Sequence, residues 1–417
     1  MTPDAEVGGY AEVRVSYQVG VDGVPWNLTE RIRPSFEISA RERVTAEAVI
    51  EAAMTQGRVA NDEVADLLVG ALLDNPMLAA ADCTYAPEPR YDSVSDYLSV
   101  ERLHVDFNLP GADITVGRQA INWGSALVFH PTDLLREVLV TEPWRDRGGL
   151  NAVKADVAMG DHSLVGVVAV PDDLSSIYQD DEPEVPVLVA GKLTLRGFET
   201  DAAAVVHART DGEWFAGGDL RGTLGVGWWV EGGWHGRAED SDDEDGPEVV
   251  VGIDYSLPWL ETVYLAGEYR FDGTGVAPED YDFAQRAGMG SSALAFDCSF
   301  QGADFRLVPP TVEGGTRTTL GQHYVDAILN VGITQDVGVN AALILNVADG
   351  TGMVVPGASV KVGERVAVNA GAQIPVGEDG EFKPASESLI YEAGGTRIDL
   401  SGLLPDATVN AWVRYSF

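Results

Sequence analysis

No run of about 18 apolar residues, the length a membrane helix needs, occurs in this chain of 417 residues. Its best apolar stretch, Leu164 to Val170, is only strand-sized. A membrane-spanning helix is therefore excluded. Lysine is scarce: four (Lys154, Lys192, Lys361, Lys383) among 27 basic residues, the rest arginine. With 66 acidic residues the formal net charge is −39, which speaks against nucleic acid as a partner. Such a balance fits a host living in high salt or a cell-surface protein, and it bears on solubility and steering rather than on fold. Neither of the two cysteines, Cys83 and Cys298, sits in a CxxC or beside a His cluster, which disfavours a metal pair. Gly-x-Ser-x-Gly, paired metal-ligand histidines and phosphate-cradling loops are also missing, so nothing marks an enzyme. The opening Met1-Thr2-Pro3-Asp4 is polar and acidic rather than a secretion signal, so the numbering is expected to be that of a mature or recombinant chain.

What is present is alternation. Over residues 11–19 every odd position is apolar and every even one polar. Leu28, Ile32, Pro34, Phe36 and Ile38 then alternate with Thr29, Arg31, Arg33, Ser35, Glu37 and Ser39. A period of two is that of a strand whose faces meet different surroundings. The pattern recurs at 43–53, 97–109, 111–122, 151–160, 162–171, 185–196, 200–209, 213–221, 223–235, 248–257, 261–272, 320–333, 337–348, 352–362, 364–375 and 406–417. That makes 18 strands, with 16 as the fallback count; 213–221 is the weakest, and losing it alone would break the even parity of single-chain bacterial barrels. Short turns such as 40–42, 110–111, 160–162, 197–199 and 362–364 alternate with longer segments at 54–96, 123–150, 172–184, 236–247, 273–319 and 376–405. Short turns inside and long loops outside are the outer-membrane pattern, which puts both chain ends on the periplasmic side.

The two faces differ in chemistry. One carries Val, Ala, Leu, Ile, Gly and aromatics; the other carries Arg14, Arg33, Glu47, Asp106, Lys154, Lys192, Arg196, Asp254, Glu268, Arg270, Lys361 and Arg414. Unpaired charge on that scale cannot form a dry core, so the charged face is expected to be wet. The predicted fold is all-β: one closed antiparallel transmembrane β-barrel over residues 1–417, of a size that leaves an aqueous channel and that has no sheet edge in hydrocarbon. Tyr17, Trp228, Trp234, Tyr255, Tyr269, Phe271 and Tyr415 are placed outward as interfacial girdles. In the last strand Val409, Ala411, Val413, Tyr415 and Phe417 share one face, which resembles the C-terminal signal by which outer-membrane barrels address their assembly machinery.

Gly117-Arg118-Gln119 followed by Trp123-Gly124 and Pro131-Thr132-Asp133-Leu134 resembles the G-R-Q-x-x-x-W-G … P-T-D-L stretch of porin-like outer-membrane proteins grouped loosely with alginate-export and hydrophobic-substrate barrels. Arg145 to Ala152 is similar to the R-x-G-x-x-A element before the next strand of that group. The likeness covers about 40 residues and implies a passive or substrate-selective channel without a cofactor.

The candidate pore-lining and selectivity residues are Arg14, Arg31, Arg33, Arg102, Arg118, Arg145, Arg147, Lys154, Arg270 and Arg414. Arg14, Arg31, Arg33 and Arg414 fall on three neighbouring strands once the barrel closes; they form either a positive stripe favouring anions or a network paired with Glu12, Glu37, Glu47 and Glu51. Alternation slips at Gly117-Arg118, so a glycine bulge is expected to aim Arg118 into the lumen, to hold a loop or to face solute. The third extracellular loop, 123–150, with Trp123, Arg136, Trp144, Arg145 and Arg147, is the candidate constriction, with capping of the rim as the alternative. Cys83 and Cys298 fall in predicted extracellular loops and form a disulfide candidate. The acidic run 239–245 could hold Ca²⁺ weakly, though it reads more simply as a solvated loop; 62–82 has helical spacing; His207 and His235 face the lumen without an evident partner. The function expected is passive or substrate-selective diffusion of small polar or anionic solutes. The alternative is a sheath or partner platform without open conductance. Partners expected are the lipid bilayer with its lipopolysaccharide, the assembly machinery and small solutes, with oligomeric state left open.

Overall fold

The computed structural model describes residues 4–20, 26–40, 43–57, 82–85, 94–134, 148–170, 186–210, 212–237, 245–259, 261–281, 296–300, 303–307, 319–384, 390–393, 396–399 and 405–417. Eighteen of the strands form one sheet: β1 (Asp4–Val19), β2 (Trp26–Ala40), β3 (Val44–Gly57), β4 (Val94–Leu109), β5 (Ala112–Gln119), β6 (Leu150–Met159), β7 (His162–Val170), β8 (Leu188–Gly197), β9 (Thr200–Arg209), β10 (Glu213–Thr223), β11 (Gly227–Arg237), β12 (Gly246–Leu257), β13 (Thr262–Asp272), β14 (His323–Gly332), β15 (Val337–Asn346), β16 (Gly352–Val362), β17 (Val366–Val376) and β18 (Ala407–Ser416). Each pairs antiparallel with the next. The ring closes where β18 pairs with β1, Val13 opposite Val413. Every predicted strand is present, and the weakest, 213–221, is β10.

Side chains sort by parity. Val13, Val15 and Tyr17 on β1 and Val409, Val413 and Tyr415 on β18 are exposed, while Glu12 and Asn410 between them are buried inside. The outward aromatics fall into two belts. Tyr17, Trp26, Trp214, Trp234 and Tyr269 lie toward the long-loop end; Phe36, Phe107, Tyr255, Tyr415 and Phe417 lie toward the short-turn end. Amphipathic rings at both interfaces of an apolar band are what a bilayer selects.

The single register shift in the ring lies between β3 and β4. Val49 faces Arg102 and Ile50 faces Val100, so Glu101 is the extra residue. Pairing runs unshifted through Gly117, which faces His104 and Ala152. The bulge expected at Gly117 therefore sits one strand away. Gly117 has φ +121° and a Cβ there would come within 2.9 Å of His104 Cα, so it serves close backbone approach. Without an extra residue the parity is not inverted: Arg118 faces Leu103 and Asn151, in step with outward Val116. It packs over Gly149, where a Cβ would stand 2.8 Å from Arg118 Cγ. Burial against backbone takes the place of the lumenal position expected for it.

Two small sheets lie outside the ring. Asp82–Tyr85, Phe296–Phe300 and Ala303–Leu307 make one, with Cys298 directly opposite Cys83; Ile390–Ala393 and Thr396–Asp399 make the other. The predicted helical stretch at 62–82 and the acidic run 239–245 lie essentially outside the described residues, as do Arg136, Trp144, Arg145 and Arg147.

Candidate functional site

The lumen is divided. Beyond β5 the chain does not stay at the rim but turns into the barrel over residues 120–134, and its backbone amides, with no strand partner there, are met by carboxylates of the wall. Glu231 Oε2 accepts from the amides of Ser125 (2.7 Å) and Ala126 (2.9 Å), and Oε1 from the amide and hydroxyl of Thr132 (2.9 and 2.8 Å). Glu268 accepts from the amides of Leu127 (2.6 Å) and Val128 (2.9 Å) and from the indole of Trp229 (2.8 Å). Asp219 accepts from Ser125 Oγ at 3.0 Å and faces Lys192 Nζ at 3.5 Å. A hydrogen bond contributes about 0.5–1.5 kcal/mol net and an unmet buried amide costs more, so two glutamates accepting from five loop amides pin the segment.

Apolar contacts complete the docking. Ile121 and Trp123 pack on Leu150, Ala152, Val167, Ala169, Leu188, Ala190, Val205 and Phe215. Ala126, Val128 and Phe129 pack on Trp229, Val250, Ala266, Tyr324 and Ile344. These partners belong to β6 through β15, so the third loop reaches from β5 across the barrel. The wall of β6 to β15 behind residues 121–129 is therefore packed rather than open, which corrects the expectation of a wholly wet charged face. Loop amides satisfy Glu231 and Glu268 there and Arg270 matches Glu248 and Asp272, whereas the carboxylate of Asp326, 1% exposed, has no hydrogen-bond partner among the described residues.

Arg270 belongs to this half. Its Nε lies 2.7 Å from Glu248, Nη2 2.7 Å from Asp272 and Nη1 2.8 Å from Thr319 Oγ1, with the guanidinium 4.3 Å from the Phe129 ring centroid. It is 3% exposed, so it clamps the loop rather than lining open lumen. A second extracellular segment, 377–384, also turns inward. Buried Glu381 accepts from Tyr324 Oη (2.5 Å), Asn346 Nδ2 (2.8 Å) and the Leu320 amide (2.8 Å), and Phe382 packs beside Phe129's cluster. Asn346 also donates to Tyr281 Oη at 2.7 Å; burial pushes that loop phenol well above its ordinary pKa.

On the other half, the basic residues of β1, β2 and β18 are largely matched. Arg414 Nη2 lies 2.7 Å from Glu12 and its guanidinium 4.1 Å from the Tyr10 ring centroid; Arg31 and Arg33 both face Glu51, at 3.2 and 3.8 Å. Arg14 lies on the same inner rung as Trp412. A paired network, not a bare positive stripe, is what the ladder forms. Arg102 and Lys154 make no ion pair among the described residues and are half-buried on the inner face of β4 and β6. Between them on the inner wall, His104 stands 3.5 Å from Glu47 and 3.4 Å from Asp106, which accepts from Thr115 at 2.5 Å. His207 and His235, expected without partners, both contact Phe215, His207 stacked on it and His235 tilted against it, and His235 Nε2 lies 3.0 Å from Glu248.

Neither a family model nor a curated protein matches the chain. Solved structures do. Acinetobacter baumannii OccAB4 superposes with a TM-score of 0.56 at 8% identity, over 99% of this chain and 98% of that one. Pseudomonas aeruginosa OccK8 (OprE) gives 0.55 at 6% identity, over 99% and 98%. The fold is that of a porin-like outer-membrane β-barrel. A further structural relative is Escherichia coli Wzi, an outer-membrane protein involved in group 1 capsule assembly and a carbohydrate-binding β-barrel. It matches this barrel with a TM-score of 0.52 at 10% identity, over 99% of this chain and 84% of that one. At such identities it is the architecture that is shared.

The sequence reading missed Glu231, Asp219 and Glu381 as loop holders. A signal was available: Leu164–Val170 is apolar on both faces, which a wall washed by water on one side does not require. Such a segment marks wall that something covers.

Proposed function

We propose that this barrel is an outer-membrane channel for passive or substrate-selective diffusion of small polar or anionic solutes. The observation that carries the reading is the infolded third loop. Its residues 120–134, held by Glu231 and Glu268, cover wall away from the Glu12–Arg414 and Arg31–Arg33–Glu51 pairs, and this reading places the passage beside those pairs. Arg102 and Lys154, free of ion pairs among the described residues, supply attraction for an anion there. Arg14, Arg145 and Arg147 complete the proposed basic set. The resemblance around Gly117–Leu134 supports grouping the chain with alginate-export-type barrels. The proposed surroundings are lipid and lipopolysaccharide against the outward apolar face, and assembly machinery at β18. Ca²⁺ at 239–245 remains a proposal of the acidic composition alone.

Planar-bilayer recording tests this. Steady conductance is expected, with a reversal potential in a salt gradient displaced toward the anion. A correctly folded barrel that inserts without conducting would sink the reading.

One observation favours the second reading, a partner platform. Phe198, Leu224 and Trp259 stand fully or largely exposed on three successive short turns. A platform would insert without conductance, so the same recording separates the two.

A further inference from the structure

We propose that the inner wall across β15–β18 carries a binding niche for a neutral polyhydroxylated solute of monosaccharide size. The inference deepens the channel reading, on which it rests, by naming a solute class.

The niche is built by register. One inner rung runs Asn340, Gly357, Gly371, Asn410; the neighbouring rung runs Ser359, Asn369, Trp412. The two glycines remove side chains from the middle of the wall. Asn340 leans over Gly357, its Oδ1 2.6 Å from where a Cβ would stand, and the indole of Trp412 lies against Gly371, Cζ3 3.9 Å from the equivalent point. The result is a cavity of about 200 Å³ lined on its polar side by Asn340, Ser359 and Asn369 with Trp412 as its aromatic wall.

Three features define what would fit. None of the lining residues is ionisable, although arginines and glutamates occupy the next strands. The side chains of Asn340, Ser359 and Asn369 make no hydrogen bond among the described residues, so two amides and a hydroxyl offer donors and acceptors to a guest. Asn410, 1% exposed, spends its Oδ1 on Ser16 Oγ at 2.6 Å, while its Nδ2 has no acceptor among the described residues. A buried amide without its acceptor costs free energy, and it stands beside Gly371. An indole face is negative and attracts the weakly positive C–H face of a sugar ring, whose hydroxyls then reach amides at its edge. A neutral polyol matches aromatic, amide and hydroxyl together; an anion finds no cation in the lining, and a plain hydrocarbon leaves the amides unmatched.

The test uses the full chain in detergent and D-glucose as the probe, read by saturation-transfer NMR and titration calorimetry, with potassium gluconate as the anionic comparison. Saturable glucose binding that is insensitive to ionic strength and stronger than gluconate binding is expected. Trp412→Ala is expected to weaken it about tenfold or more, and Trp412→Phe to retain part of it. Gly371→Val, which fills the niche while keeping the indole, is expected to abolish it and covers the case in which Trp412→Ala fails to fold. Absence of saturable binding, gluconate binding as tightly as glucose, or glucose binding unchanged in folded Trp412→Ala or Gly371→Val overturns the niche. Bilayer conductance measured in parallel keeps the two readings apart: a barrel that conducts without binding glucose loses only the niche, and one that binds glucose without conducting loses only the channel.

Discussion

Gly124 and Glu231 fit each other: a Cβ on Gly124 would stand 2.5 Å from both carboxylate oxygens of Glu231. Gly124 also has φ +96°, where side chains are strained. The loop can reach the wall carboxylate only because this residue is glycine. Gly124→Ala is therefore expected to loosen residues 123–134 from the wall. Single-channel recording should show larger or noisier conductance, and an unchanged current trace would contradict a docked loop.

The two loop-holding glutamates differ from ordinary surface acids in what depends on them. Glu231→Ala and Glu268→Ala each leave several buried amides without an acceptor, at ~1–3 kcal/mol apiece in desolvation. Each is expected to lower the thermal unfolding midpoint in detergent and to make the loop cleavable by added protease. The isosteric Gln variants should be milder, because the amide oxygen still accepts.

Arg270→Ala would strand Glu248 and Asp272, both nearly fully buried. Breaking a buried ion pair from one side costs ~3–5 kcal/mol, so a marked fall in unfolding temperature is expected. Arg270→Lys keeps the charge but loses the fork that touches three partners at once, and should fall between. A neutral effect of Arg270→Ala would place the residue on open lumen after all.

Charge on the open half sets the direction of selectivity. Glu51→Gln removes one negative charge facing Arg31 and Arg33 and adds a net positive to the wall. The reversal potential in a potassium chloride gradient is expected to move toward the chloride equilibrium value. Arg102→Gln and Lys154→Gln remove cations that make no ion pair among the described residues and should move it the other way, more together than singly. The shifts should shrink as salt rises past ~0.1 M, where screening reaches ~10 Å.

Cys83 and Cys298 are direct register partners, and we expect them to be joined when the protein is made in an oxidising compartment. A disulfide closing so long a loop contributes ~2–4 kcal/mol. Intact mass before and after reduction, and migration on gels with and without reductant, read the bond directly.

The barrel was legible from residues 11–19 onward because a strand's period of two survives in any sequence whose faces meet oil and water. Even β10, where Gly217, Gly218 and Asp219 interrupt the apolar pattern, kept enough of it to be counted. The bulge lies one strand from Gly117 because a slip of alternation at Gly117-Arg118 does not say which strand takes the extra residue, and β4 takes it at Glu101. Arg14, Arg31, Arg33 and Arg414 were placed on one wall correctly by closure alone; their pairing with Glu12 and Glu51 needed distances. Arg270 read as a lumenal cation on the same parity rule, and nothing local distinguishes an arginine facing water from one facing Phe129.

Alternation by itself settled strand number, faces and the order of short turns and long loops, since each depends only on neighbours two residues apart or on the next strand. The lumen was decided in three dimensions. Whether an inward carboxylate meets water, an arginine or the amides of residues 125–132 depends on a loop about a hundred positions away in the chain, and no periodicity carries information over that separation.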